Sequence, residues 1–494
     1  MKTIKHFTII IMCLTTFLCM HVNTYAQTQK GTDIDGEAAG DNAGKSVSMP
    51  DAGTVAIGAP YNDGNGTSAG QVRIYSWNGT AWVQKGIDID GALDGEDLGW
   101  SVSMPDASTV AIGSPFVNDF WHSGLVRIYS WNGTAWVQKG TNINGEAYRD
   151  QSGKSVSMPD AGTVAIGAHN NDGNGILRGH VRIYSWNGTA WVQKGTDING
   201  EADYDYSGSS VSMPDAGTVA IAAPYNDGNG SNSGHVRIYS WNGTAWVQKG
   251  TDINGDGPND YFGSSVSMPD ASTVAIGSVF NDAANGYNSG YVRIYSWNGT
   301  GWVQKGTDIE GEAAGDYSGC SVSMPNAGTV AIGAHCQNNP IRSGYVRIYS
   351  WNGTAWVQEG TDIDGESSGD YSGCSVSMPD AGTVAIGARY NDGNGTDAGH
   401  VRIYDGIPLG IHENDFDNTL LAYPNPTDGI ITIDLGNTYK DIAVTIKNIL
   451  GQEVNKLSSG NKSKLQLSTP EAAGVYFVEL NAGNKRAVLK VIKK

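Results

Sequence analysis

The chain has 494 residues, with 50 acidic against 31 basic side chains, 68 glycines, 23 tyrosines and 14 tryptophans, but only 9 histidines and 5 cysteines. At 39% hydrophobic it can bury substantial cores, and its length allows two or three domains or one long repeat array. A formal charge of −19 repels phosphate backbones and anionic lipid surfaces, which argues against nucleic-acid or membrane-surface binding and leaves cationic, neutral or metal-bridged partners.

Residues 1–26 open with Lys2 and Lys5, run through the apolar stretch Phe7 to Met20 and end in Thr24-Tyr25-Ala26, the pattern of a secretory signal peptide. The apolar run is short of the roughly 20 residues that span a bilayer, and no transmembrane segment is expected elsewhere. Cys13 and Cys19 leave with this segment. The remaining Cys320, Cys336 and Cys374 make no disulfide scaffold.

The string SVSMP starts at Ser46, Ser101, Ser155, Ser210, Ser265, Ser321 and Ser375, at spacings of 54 to 56 residues, so seven units fill residues 28–405. Each unit reads as four short strands. In the first, these are Ser46 to Met49, Thr54 to Ala59, Gln71 to Trp77 and Ala81 to Ile87. Pro50-Asp51-Ala52-Gly53 forms a tight turn, and Asn78-Gly79 reads as a hairpin turn; a two-residue turn there sets Tyr75 opposite Trp82. Val72, Ile74 and Val83 then share the other face, so the sheet is apolar on both sides and needs covering by neighbouring copies. The small Ser46, Val47 and Ser48 suit the crowded centre of a radial array. The last copy stops after Tyr404, before its fourth strand, while Thr28 to Ile34 matches that strand in other copies. Such closure predicts an all-β, seven-bladed propeller whose seventh blade the N-terminal strand completes.

The run "DGEAAGDNAGKSVSMPDAGTVAIGAPYNDGNG" followed by "GQVRIYSWNGTAW" resembles the FG-GAP repeats of integrin α-type propellers, and the pattern recurs in all seven copies. The Phe-Gly of the family name stands only at Phe262-Gly263; Ala43, Leu98, Ser152, Ser207, Ser318 and Ser372 take the place of Phe262 elsewhere. The D-x-D-x-D-G calcium loop of that family is replaced by the short PDAG turn, so its calcium site does not carry over.

Composition shifts after Tyr404. Residues 421–494 carry ten basic and six acidic side chains, and the region between the signal and this segment holds −25. A linker is expected over 406–420, then a small β-sandwich with strands at Ile430 to Leu435, Ile442 to Ile446 and Val475 to Leu480. The ordered motifs YPNPT (Tyr423, Pro424, Asn425, Pro426), NILGQEV, GVYFVEL (with Gly474 and Tyr476) and AVLKVIKK (with Lys490 and Lys493) resemble the type A sorting domain of type IX secretion in Bacteroidetes. The resemblance implies export, the type IX machinery as partner, and an extracellular or outer-membrane-surface destination.

The loops between strands two and three differ between copies and project Tyr61, Phe116, Phe120, Trp121, His122, Tyr225, Phe280, Tyr287 and Tyr390 toward one face. Aromatic planes beside Asn and Asp suit sugar rings. Phe120-Trp121-His122 is the most distinctive candidate contact. The inter-blade loops of the same face place Asp41, Glu96, Asp150, Asp205, Asp260, Asp316 and Asp370 at one equivalent position, a candidate ring of oxygen ligands for Ca2+, although turn capping explains the same residues. Just before each SVSMP stands Lys45, Trp100, Lys154, Ser209, Ser264, Cys320 or Cys374, near the expected channel mouth, with unpaired thiols expected. No nucleophile elbow, HExxH, P-loop or paired-Cys motif occurs, so no enzyme is expected. These features point to a binding or adhesion propeller for an extracellular glycan or protein. A structural surface or biofilm protein, and a polysaccharide-acting hydrolase or lyase, are the alternatives.

Overall fold

The computed structural model describes residues 27–117, 123–282, 285–336, 343–406, 420–423, 427–448, 452–468, 470, 472, 474–483 and 485–493. The signal segment, Phe120 to His122, most of the linker and Pro424 to Pro426 fall outside them. Among the described residues no helix is long and apolar enough to cross a membrane.

Seven sheets of one design occupy residues 28–405. The first is built from Ser46–Asp51, Thr54–Ala59, Gln71–Trp77 and Trp82–Gln84, all antiparallel and in that order. The second strand is buried along its whole length, because each of its faces meets another blade. Ala56, Val72 and Ile74 pack against Met104, Val110 and Ile112 of the next blade, and the same core recurs around the ring. The innermost strands touch in sequence, and the seventh touches the first. Serine is required there. The third residue of each SVSMP accepts the methionine amide of the next blade: Met104 N–H donates to Ser48 Oγ at 2.9 Å, and Met49 N–H closes the circle on Ser377 Oγ at 2.9 Å.

At the outer edge a second contact repeats. Trp77 and Trp82 lie 5.4 Å apart, and Lys30 stacks over both while its Nζ donates to Ala52 O; Trp82 Nε1 donates back to Lys30 O at 2.8 Å. The same arrangement joins Lys85 to Trp131 and Trp136. Gly86 follows that lysine at φ +86°, and a Cβ on it would sit 2.7 Å from the Trp131 ring. Glu359 stands where the other blades carry this lysine, and the seventh blade, ending in Tyr404-Asp405, offers no tryptophan pair to stack on.

Two local expectations change. The Asn78 loop is four residues long, because Asn78 Oδ1 accepts the amides of Thr80 and Ala81 at 2.9 Å each; Trp77 therefore faces Trp82, and Tyr75 faces Gln84. The fourth strand also breaks at Gly86, and Ile89–Asp90 returns as a separate two-residue strand against Gln71 and Val72. N-terminal closure is present in the same register: Thr28 pairs with Asp405, Gln29 with Tyr404 and Ile34 with Val401.

Residues 421–493 form a three-stranded sheet (Leu421–Tyr423, Ile430–Tyr439, Lys462–Ser468) and a four-stranded sheet (Ile442–Asn448, Glu453–Ser459, Gly474–Ala482, Lys485–Lys493). Ile431, Ile433 and Leu435 alternate into one core with Val444, Ile446, Val478 and Leu480. Tyr476 donates its hydroxyl to Ala472 O at 3.0 Å, and Lys493 Nζ donates to Asp428 O at 3.0 Å.

Ile34 is 5% exposed, as is Ile198, and the other counterparts are buried alike. Ile34→Ala is expected to cost as much as Ile198→Ala, about 2–4 kcal/mol in urea unfolding. A much smaller cost for Ile34→Ala would show that the N-terminal segment does not close the ring as the other blades are closed.

Candidate functional site

The face carrying the loops between strands two and three, together with the inter-blade loops, is built from the variable residues. The seven acids on it are internal. Asp205 is 1% exposed, and its Oδ2 accepts the amides of Glu201 at 3.0 Å and Ala202 at 2.9 Å, while Asn226 Nδ2 donates to Oδ1 at 3.0 Å. Asp41, Asp260 and Asp370 likewise accept amides of their own loops and the side-chain N–H of Asn62, Asn281 and Asn391. Asp150 takes the amides of Glu146 and Ala147, and Asp316 adds the Tyr345 hydroxyl at 2.8 Å. Glu96 pairs with Arg127. The candidate ring of calcium ligands is thus a set of seven loop clasps, and among the described residues none of them joins a metal-ligating cluster.

The residue after each acid adopts positive φ in every blade, from 51° to 56°. Asn42 and Asp97 suit that region, but Tyr206, Tyr261, Tyr317 and Tyr371 hold it at a cost of about 1 kcal/mol or more each. Their rings interleave with those of the variable loops. An unbroken run of nine rings passes from His169 through Tyr206, Tyr225, Tyr261, Phe280, Tyr317, His335 and Tyr371 to Tyr390, with centroids 4.8 to 5.7 Å apart. Tyr61, Trp100 and Phe116 form a second run. Of the expected aromatic contacts, Tyr61, Phe116, Tyr225, Phe280 and Tyr390 therefore converge; Phe120, Trp121 and His122 lie outside the described residues. Tyr287 is 69% exposed and stands beside Tyr261, Phe280, Asn281, Asp282 and Tyr317 around a cleft of about 700 Å³.

The four positive-φ tyrosines, His169, His335 and Arg389 were not singled out from sequence. Reading down the columns of the seven copies exposes them: the tyrosines follow the ring acid, and the other three follow strand two.

The channel mouth is cationic on one side. Lys45 Nζ and Lys154 Nζ lie 4.6 and 4.5 Å from the Trp100 ring, and Arg389 Cζ lies 4.6 Å from that of Tyr390. Burial, then the nearby Arg389, lowers Lys45 to about 8. Burial, then Lys45 and Arg389, lowers Lys154 to about 7. Burial keeps His169 and His335 neutral, at about 3 and about 4. Cys320 and Cys374 are free thiols, Cys336 Sγ lies 3.7 Å from Asp316 Oδ1, and burial followed by the neighbouring Cys374 pushes Cys320 up to about 12.

Further out, three histidines at the start of strand three meet carboxylates: Glu146, His180 and Asp197; Glu201, His235 and Asp252; Asp33, Glu366 and His400. Each set has the donors for a metal, yet Arg182, Arg237 and Arg402 already engage Glu146, Glu201 and Glu366. Burial and the arginine outweigh the carboxylates, so each imidazole is lowered to about 4. The unfolded chain binds these protons first, near the ordinary value of about 6.5. Stability is therefore expected to fall as pH drops from about 6.5 toward 4, and His235→Gln, the residue type present at Gln71, should flatten that fall in urea titrations. An unchanged slope would place the acid sensitivity elsewhere.

Residues 421–494 match the secretion system C-terminal sorting domain, and residues 357–404 match the FG-GAP repeat. The sorting domain marks the chain for type IX secretion to an extracellular or cell-surface location. No curated protein matches the chain. Similar solved structures include the β-propeller domain of the trilobed protease from Pyrococcus furiosus, at 11% identity over 69% of this chain and 90% of that one, with a TM-score of 0.39. Sqt1 from Chaetomium thermophilum is 14% identical over 77% and 100% of the respective chains, TM-score 0.42. The periplasmic gluconolactonase PpgL of Pseudomonas aeruginosa is 13% identical over 75% and 98%, TM-score 0.37. These likenesses carry no inference about activity.

Proposed function

We propose that this secreted propeller is a glycan-binding protein that receives sugar rings on the aromatic girdle of its variable face. The observation that carries the reading is the unbroken run of nine rings, four of them tyrosines kept at a backbone conformation that asparagine would hold more cheaply. A girdle of this kind offers flat apolar faces to the C–H side of a pyranose, and phenolic hydroxyls to its edge. The cleft at Tyr261, Phe280 and Tyr287 adds Asp282, whose Oδ1 accepts the Asn288 amide and whose second carboxylate oxygen is an acceptor for sugar hydroxyls. A protein partner would more naturally press on a flat, dry patch than on a groove of about 700 Å³ edged with Asn and Asp.

Tyr206→Asn and Tyr261→Asn, at two half-exposed rings of the run, keep a residue type that the same position uses at Asn42, so the backbone conformation is retained while the ring is removed. On a glycan array followed by calorimetry with the full chain, each variant should bind the selected glycan about tenfold more weakly, with an unchanged unfolding temperature. Equal affinity for parent and both variants would remove the girdle from recognition, and absence of binding to every glycan would end the reading.

A further inference from the structure

Three cations from three blades meet at the channel mouth. Lys45 precedes the innermost strand of the first blade, Lys154 lies near the start of that of the third (Ser152–Asp160), and Arg389 follows the second strand of the seventh. The two ammonium groups approach the same indole, Trp100, from the blades on either side of it. Arg389 lies over Tyr390 and reaches Tyr371 at 5.8 Å. The strand-three arginines Arg73, Arg182, Arg237, Arg293, Arg347 and Arg402 all pair with carboxylates. Among the described residues, Lys45, Lys154 and Arg389 pair with none.

That is unexpected in a region holding −25, where a counter-ion is never far in sequence. The remaining groups around the cluster do not supply one. His169 and His335 are neutral, Cys320 is a protonated thiol, and Cys374 lies beside Lys45. The acid on this side is Asp97, which lies next to Tyr61 and is not among the charges that act on Lys45 or Lys154. Two polar atoms stay buried without a hydrogen-bond partner, Arg389 Nε and His335 Nδ1. Like charges held together beside an unpartnered Arg389 Nε, and flanked by aromatic rings, have the charge and the geometry to hold an anion.

We infer that this cluster takes the oxyanion substituent of an acidic glycan, a uronate carboxylate or a sulfate ester, while the flanking sugars lie on the girdle. The inference rests on the glycan reading and adds the charge of the ligand to it. The surrounding negative field sets a second limit. It repels densely charged polymers such as nucleic acid, so the fitting ligand carries isolated charges separated by neutral rings. Binding of the anion favours protonated Lys45 and Lys154, which ties affinity to proton uptake.

The test is calorimetry on the full chain with three probes: an oligosaccharide bearing a uronate, a sulfated oligosaccharide, and the uronate oligosaccharide reduced to its neutral alcohol. One of the two acidic probes is expected to bind at least about tenfold more tightly than the neutral one, and which of them does so identifies the oxyanion. That preference should shrink as pH rises from about 6 to 9, through the lowered lysine values. Lys45→Ser with Lys154→Ser introduces the residue present at Ser209 and Ser264, and should abolish the preference while leaving the neutral probe's affinity unchanged. Should that double variant not fold, raising salt from about 0.05 to 0.5 M on the parent protein must erode the preference instead. Equal binding of acidic and neutral probes overturns the anion site and leaves the glycan reading standing, as does a preference that survives in the folded double variant or resists salt. Failure of all three probes and of the glycan array overturns both.

Discussion

The architecture hangs on a hydrogen bond between two very small groups, the serine hydroxyl at the third position of SVSMP and the methionine amide of the next blade. It occurs at every junction, from Met104 on Ser48 to Met49 on Ser377. Because each bond is about 2.9 Å long, the innermost strands cannot drift outward, and a larger side chain at that position would push them apart. The first serine of the motif adds a bond to a glycine carbonyl of the following blade, as from Ser46 to Gly99 at 2.8 Å. With the radius set at the centre, the apolar cores between blades and the lysine–tryptophan stacks at the rim fall into one repeating geometry.

That redundancy separates two kinds of position. Residues that touch the neighbouring blade recur in nearly every copy, because a change at one junction would be felt across the closed circle. Residues at the mouth touch the next blade through rings and charges, outside the repeated serine–methionine and apolar contacts. The scaffold can therefore carry tyrosine, histidine, lysine or cysteine there without changing its shape. Charge follows the same division: the acids fold inward as loop clasps, and the unneutralised cations gather at the opening.

Much of this was legible in the sequence because it is periodic. The SVSMP spacing, the second strand Thr54–Ala59 and the match between Thr28 to Ile34 and the fourth strands all describe contacts made seven times over. The Asn78 loop is longer than Asn-Gly alone implies, because the asparagine carboxamide holds two further amides and lengthens the turn. The acids were legible as equivalents, but their burial was not, since it depends on Asn226 and its counterparts reaching back across the loop. The cation cluster was least legible: Lys45, Lys154 and Arg389 occupy two different columns in three separate copies, and only the closing of the circle makes them neighbours.

That closing has a consequence in time. The seam joins Thr28 to Asp405, partners 377 residues apart, with no covalent link across it. The first strand to emerge has nothing to pair with until His400–Asp405, the third strand of the last blade, exists, so the ring cannot snap shut on a partly delivered chain. Blades delivered before His400–Asp405 have no seam to close. Only when residue 405 has cleared does the circle complete, immediately ahead of the segment that addresses the protein to its exit.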